Sequence, residues 1–189
     1  MTPVITSVTK FLSLLTLVSD GGIIILAAVF LYYYSSGQLK KLWASRSIKF
    51  FSHKALYFSF IVALTATLGS LFYSEIAHFE PCKLCWFQRI FMYPLVLLIG
   101  MAIYRKDKRI ADYSSAMSLF GAIIASYHYY LQRGGITILP CSAVGYSVSC
   151  SQNFTMEFGY VTIPIMSLTA FLVIIILMWF YKRASGIKH

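Results

Sequence analysis

The chain has 189 residues, 59% of them hydrophobic and only 12% charged, with a mean hydropathy of +0.73. Soluble domains carry about twice that charged fraction. The composition therefore excludes an ordinary water-soluble domain and points to a membrane protein, whose helices satisfy their own backbone hydrogen bonds. The formal net charge of +10 does not signal a nucleic-acid partner, because the cations fall in short runs between apolar segments: "KKLWASRSIK" at 40–49, "RKDKR" at 105–109 and "KRASGIKH" at 182–189. Such runs are the pattern of cytoplasmic loops, not of a basic groove.

In chain order, the first apolar segment runs from about Phe11 to Tyr34 and is interrupted by "SDGG" at 19–22. No basic stretch precedes it, so it reads as a retained first helix and not as a cleaved signal. Asp20 predicts either a polar partner within the membrane or a break with a hydrated carboxylate. Four more segments follow: Ala55 to Phe79, Trp86 to Tyr104, Ala111 to Leu131 and Tyr160 to Tyr181. Each is about 19 to 25 residues long, enough for a helix to cross a hydrocarbon core of about 30 Å. Tyr32, Tyr33 and Tyr34, Trp86, and the Trp179–Tyr181 run sit at segment ends, where amphipathic rings favour the interface. No Gly/Ser-rich linker or internal repeat marks a second soluble domain.

Assigning 35–54, 105–110 and 182–189 to one side gives that side 5, 4 and 3 Lys/Arg, twelve of the sixteen. The other side holds Lys10, Lys83, Arg89 and Arg133. The bias predicts an N-terminus outside, a C-terminus in the cytoplasm and five crossings.

All four cysteines then fall on the outer side. Cys82 and Cys85 lie between the second and third segments, and Cys141 and Cys150 in the longer connection, about 132–159. Zinc suits a Cys-x2-Cys knuckle, but eight residues separate the second pair, beyond the usual two to four. A structural staple suits Cys141–Cys150, whereas closing the short Cys82–Cys85 loop removes little unfolded-state entropy. The third reading is thiol–disulfide exchange. A helix start beside Cys85 and Arg89 one turn on both favour a thiolate, the attacking species. A dithiol at the lip of a helix bundle is also within reach of a lipid-soluble oxidant.

"CKLCWFQRIFMYPL" at 82–95, the later cysteine pair and "SYHYYLQ" at 126–132 closely resemble the disulfide bond formation protein B (DsbB) family, in particular its shorter BdbC-type branch. The resemblance covers about 55 to 181. It implies an all-α membrane protein in which residues 55–189 form a DsbB-like four-helix transmembrane bundle. Residues 1–54 add one extra N-terminal transmembrane helix and a basic loop, which four-helix members lack. It further implies a bacterial cytoplasmic-membrane thiol:quinone oxidoreductase that reoxidises a thioredoxin-like, DsbA- or BdbD-type dithiol partner. The cofactor it implies is a membrane quinone, ubiquinone or menaquinone, and no metal is expected.

By the same resemblance, Cys141 is the sulfur attacked by the partner, and Cys150 passes electrons to Cys82. Cys85 is the thiolate in contact with quinone. Arg89 helps to hold the quinone, and Gln88, also placed at the quinone site, stands where some members carry a glutamate. His128 binds quinone or shuttles protons. The second pair is more closely spaced than in longer members. A vitamin K epoxide reductase-like enzyme is the competing class, but its Cys-x-x-Cys follows the loop cysteines instead of preceding them. A non-enzymatic scaffold or transporter with stapled loops is the other.

Overall fold

The computed structural model describes residues 3–38, 46–136, 149–151 and 154–185. Among these, five long helices carry the structure: α1 (Pro3–Ser35), α2 (Arg46–Leu71), α3 (Lys83–Arg105), α4 (Ile110–Gln132) and α5 (Ile163–Ala184). Pro3–Ser35, Lys54–Ile76, Lys83–Arg105 and Ile163–Ala184 are long and apolar enough to cross a membrane. α4 has the length but is more polar, because it buries Ser114, Ser118 and His128 against its neighbours. A multi-pass membrane protein follows.

Helices α2 to α5 form a ring in which α2 packs on α3, α3 on α4, α4 on α5 and α5 back on α2. The core inside the ring comes from all four. Met92, Leu95, Ile99 and Ala102 of α3 recur at three- and four-residue spacing, as do Phe171, Ile174 and Met178 of α5. α4 and α5 approach closely at Gly121, where an added Cβ would run into the Phe171 ring. α1 stands outside the ring, packed on α5. Its buried residues, Ile5, Thr9, Ser13 and Thr16, form one stripe facing the protein, while Val18 and Ile24 are 65% and 68% exposed on its outer side. This inverts the soluble pattern, since lipid replaces water outside.

The structure departs from the sequence reading at several boundaries. "SDGG" does not break α1, which runs unbroken from Pro3 to Ser35. The reason is that the Asp20 carboxylate accepts hydrogen bonds from Thr169 Oγ1 (2.7 Å) and Tyr160 OH (3.1 Å), so its charge needs no opening to water. α2 ends in a π-helical turn, Phe72–Ile76, and the chain reverses at His78, whose φ is 54°. α3 begins at Lys83 and not at Trp86, so Cys85 lies within its first turn and not in the loop. α5 begins at Ile163, after a tight turn in which Glu157 and Val161 exchange backbone hydrogen bonds. At the opposite end, Lys182 Nζ pairs with Asp112 Oδ1 at 2.6 Å and links α4 to α5.

Candidate functional site

Cys82 is the N-cap of α3, with extended backbone (φ −70°, ψ 171°), and its carbonyl accepts the Trp86 N–H at 3.1 Å. Residues Cys85, Gln88, Arg89, Met92 and Tyr93 follow at helical spacing and share one inward face. Trp86, Phe87 and Ile90 occupy the outer face and are half-exposed.

The two thiols are free, with Sγ atoms 3.5 Å apart. His128 reaches across from α4, with Nε2 3.6 Å from Cys82 Sγ, while its Nδ1 lies 2.9 Å from Gln88 Nε2. An amide N–H only donates. Nδ1 is therefore the acceptor, the imidazole proton sits on Nε2, and Cys82 sulfur receives it. Cys82, Gln88 and His128 are all buried. The Cys82 thiol is held well below the ordinary thiol range, first because the Cys85 thiol donates to it and then through His128, with burial opposing. Its N-cap position adds the favourable end of the helix dipole.

The sequence reading located the thiolate at Cys85 and linked His128 and Gln88 to quinone. In the structure those two side chains form a line ending on Cys82. Arg89 is fixed elsewhere: its Nε donates to Ser70 Oγ (3.0 Å), an Nη donates to the Ser70 carbonyl (3.1 Å), and the guanidinium lies over the Trp86 ring at 5.3 Å.

The dithiol has two sides. Cys85 lines a cavity of about 290 Å³ between α1, α2, α3 and α5, near the lower end of small-molecule sites, roughly 300–1,000 Å³. Gln88, Arg89, Ser70 and Tyr93 bring polar atoms to an otherwise mostly apolar wall. Tyr73, Phe79 and Phe154, which also line it, are stacked in sequence, with ring centroids 5.8 and 4.9 Å apart. Cys82 does not line the cavity. It packs in a separate cluster with Leu84, Leu131 and Cys150, and Cys150 is buried and disulfide-bonded. Cys141 lies outside the described residues.

A planar, lipid-soluble ring fits the cavity by size and by its few polar groups beside one sulfur. Cys82 Sγ, Cys85 Sγ and a His128 ring nitrogen also lie within 4.8 Å of one another, the one such group with metal-ligand chemistry among the described residues. Closing a disulfide would take away two of those three donors. Sequence reasoning missed Ser70 and Tyr93, although Tyr93 lies one turn from Arg89 and its hydroxyl donates to Ser70 Oγ at 3.2 Å. It also missed the wall supplied by α1, for which the sequence held no signal beyond Asp20.

Comparison with known proteins bears on this geometry. The family model for "Disulfide bond formation protein DsbB" matches residues 52–181. Disulfide bond formation protein C of Bacillus subtilis (strain 168) is 47% identical over 129 residues, covering 67% of this chain and 91% of its own. Probable disulfide formation protein C 1 of Bacillus anthracis is 47% identical over 120 residues, 64% of this chain and 86% of its own. A probable disulfide formation protein of Oceanobacillus iheyensis is 41% identical over 128 residues, 68% and 88% respectively. No solved structure matches.

Proposed function

Because the chain belongs to the DsbB family of disulfide bond formation proteins, we propose that it is a membrane thiol:quinone oxidoreductase that reoxidises an extracytoplasmic thioredoxin-like dithiol protein. Electrons pass from that partner to Cys141–Cys150, then to Cys82–Cys85, then to a quinone in the cavity. The observation that carries this reading is the two-sidedness of the helix dithiol: Cys82 packs with Cys150, and Cys85 opens on the cavity. The relay takes Cys141 as the partner of Cys150, as the family resemblance implies.

Each protein step is attack of a thiolate on a disulfide sulfur. The partner's thiolate attacks Cys141, and its second thiol closes the partner's own disulfide, leaving Cys141 and Cys150 reduced. Cys150 thiolate attacks Cys82 of the Cys82–Cys85 disulfide, and Cys85 leaves at the cavity wall and takes up a proton, so that it stands as a thiol. Cys141 then attacks Cys150, re-forming that disulfide and releasing Cys82. Leaving is faster for a thiol of low pKa, and the groups that lower the Cys82 pKa, the Cys85 thiol and the His128 Nε2–H, are the ones beside it. A quinone supplies the sink for two electrons and two protons, with the Cys82–Cys85 disulfide restored. Arg89, held by Ser70 and Trp86, and Gln88 orient the ring from the cavity wall.

The test is turnover by the purified protein given a reduced thioredoxin-like dithiol protein and a quinone, with quinol followed spectroscopically. Cys85→Ser and Cys141→Ser should each abolish quinol formation, and intact turnover in either would overturn the relay. Given the partner in its disulfide form, Cys150→Ala should accumulate a mixed disulfide, formed when the lone Cys141 thiolate attacks the partner's disulfide and releases its second thiol.

A further inference from the structure

α1 lies outside the stretch that matches the family, yet Leu12, Leu15, Thr16 and Ser19 wall the cavity on which Cys85 opens. A second, more open hollow of about 490 Å³ lies between α1 and the outer part of α2, lined by apolar residues such as Val8, Phe11 and Leu68. The two spaces share three lining residues, Leu12, Thr65 and Gly69. Leu12 is what stands on Gly69: a Cβ there would come within 3.1 Å of Leu12 Cδ1. Leu12, seated on Gly69 beside Thr65, thus lies between an open apolar hollow and the cavity beside Cys85.

α1 is held at two heights. Near its start, Tyr73 OH donates to the buried Thr9 Oγ1 at 3.3 Å. Further along, Asp20 accepts from Thr169 Oγ1 and Tyr160 OH, and Thr169 itself lines the cavity. A carboxylate within a membrane-spanning helix is costly unless partnered, so these two donors fix where α1 sits on α5. The α1–α2 seam has no comparable polar fastening among the described residues beyond Thr9–Tyr73.

We propose that the α1–α2 seam is the route by which a prenylated quinone enters from the bilayer, that Leu12 on Gly69 is its gate, and that Asp20 is the positioning residue holding α1 against α5. The inference rests on the quinone reading above. The cavity accommodates a ring-sized head group, and the apolar hollow outside the gate takes the first part of the prenyl tail.

The experiment measures kcat and KM of the full-length protein for a long-tailed quinone, a tailless quinone and the reduced dithiol partner. Leu12→Trp, which obstructs the gate, should raise KM for the long-tailed quinone about tenfold or more, with KM for the dithiol unchanged and kcat within about twofold. Leu12→Ala, which shrinks the gate without threatening the fold, should raise kcat/KM for that quinone about two- to threefold. Asp20→Leu should erase the difference in KM between long-tailed and tailless quinones, whereas Asp20→Asn, which keeps one acceptor oxygen for Thr169 and offers an N–H to the Tyr160 hydroxyl as acceptor, should preserve most of it. Val18→Trp, on the exposed side of α1, is the control and should match the parent. If the parent turns over quinone while both Leu12 variants and Asp20→Leu keep its quinone KM and tail preference, the gate is wrong and the function stands. If the parent forms no quinol, the functional reading falls and takes the gate with it.

Discussion

At the scale of single residues, the arrangement around Cys82 makes a statement about pH. A thiol held below its ordinary pKa of about 8.5 is ionised, and so reactive, at lower pH than usual. The depressed value favours the reduced form: the gain is fully present above the ordinary thiol pKa and is lost as pH falls through the lowered one. In reduced Cys85→Ser protein, where Cys82 is the alkylation target at this site, loss of the Cys85 thiol weakens the effect but leaves His128. Alkylation of Cys82 by iodoacetamide should therefore still be half-maximal below pH 8.5, and His128→Ala should return the midpoint towards about 8.5. An unchanged midpoint in His128→Ala would remove His128 from any role at this sulfur. Gln88→Leu should move the midpoint the same way by a smaller amount, since it frees the imidazole tautomer without removing the ring.

Individual helices show how membrane burial decides what the same residues do. Gly121 lets α4 lie against the Phe171 ring, and Gly121→Ala should destabilise the bundle by about 1–3 kcal/mol through overpacking. Thermal unfolding in detergent would register it, and Phe171→Leu in the same background should recover part of the loss. Equal melting temperatures for the parent and Gly121→Ala would mean that the two helices can separate freely at this level. α1 was legible as a membrane helix from its length and hydropathy, but not as unbroken. "SDGG" reads locally as a helix breaker, and only the hydroxyls of Thr169 and Tyr160, about 140 to 149 residues away in sequence, make helix the cheaper state for Asp20. The start of α3 was misplaced for a similar reason. Trp86 looks like an interfacial terminus, yet the first turn already forms over Lys83 to Cys85, where the Trp86 N–H donates to the carbonyl of the extended N-cap residue Cys82.

For the whole molecule, charge distribution and fold together predict orientation. The Lys182–Asp112 end, near the basic runs, should face the cytoplasm, and the end carrying Cys82, Cys150 and the Glu157–Val161 turn should face outward. In a background with the four native cysteines replaced by serine, a membrane-impermeant maleimide should label Ser151→Cys in intact cells. Lys108→Cys should be labelled only after permeabilisation, and the reverse pattern would invert the topology. The sequence by itself determined that the chain belongs in a membrane and roughly where its apolar helices lie. Those properties are local sums of hydropathy, charge and spacing. Only the tertiary structure decided that His128 addresses Cys82, that Cys85 but not Cys82 lines the cavity, and that α1 walls it. Each of these depends on the register and rotation of one helix against another. Side chains 40 or more positions apart in sequence meet through packing and hydrogen bonds that no window along the chain contains.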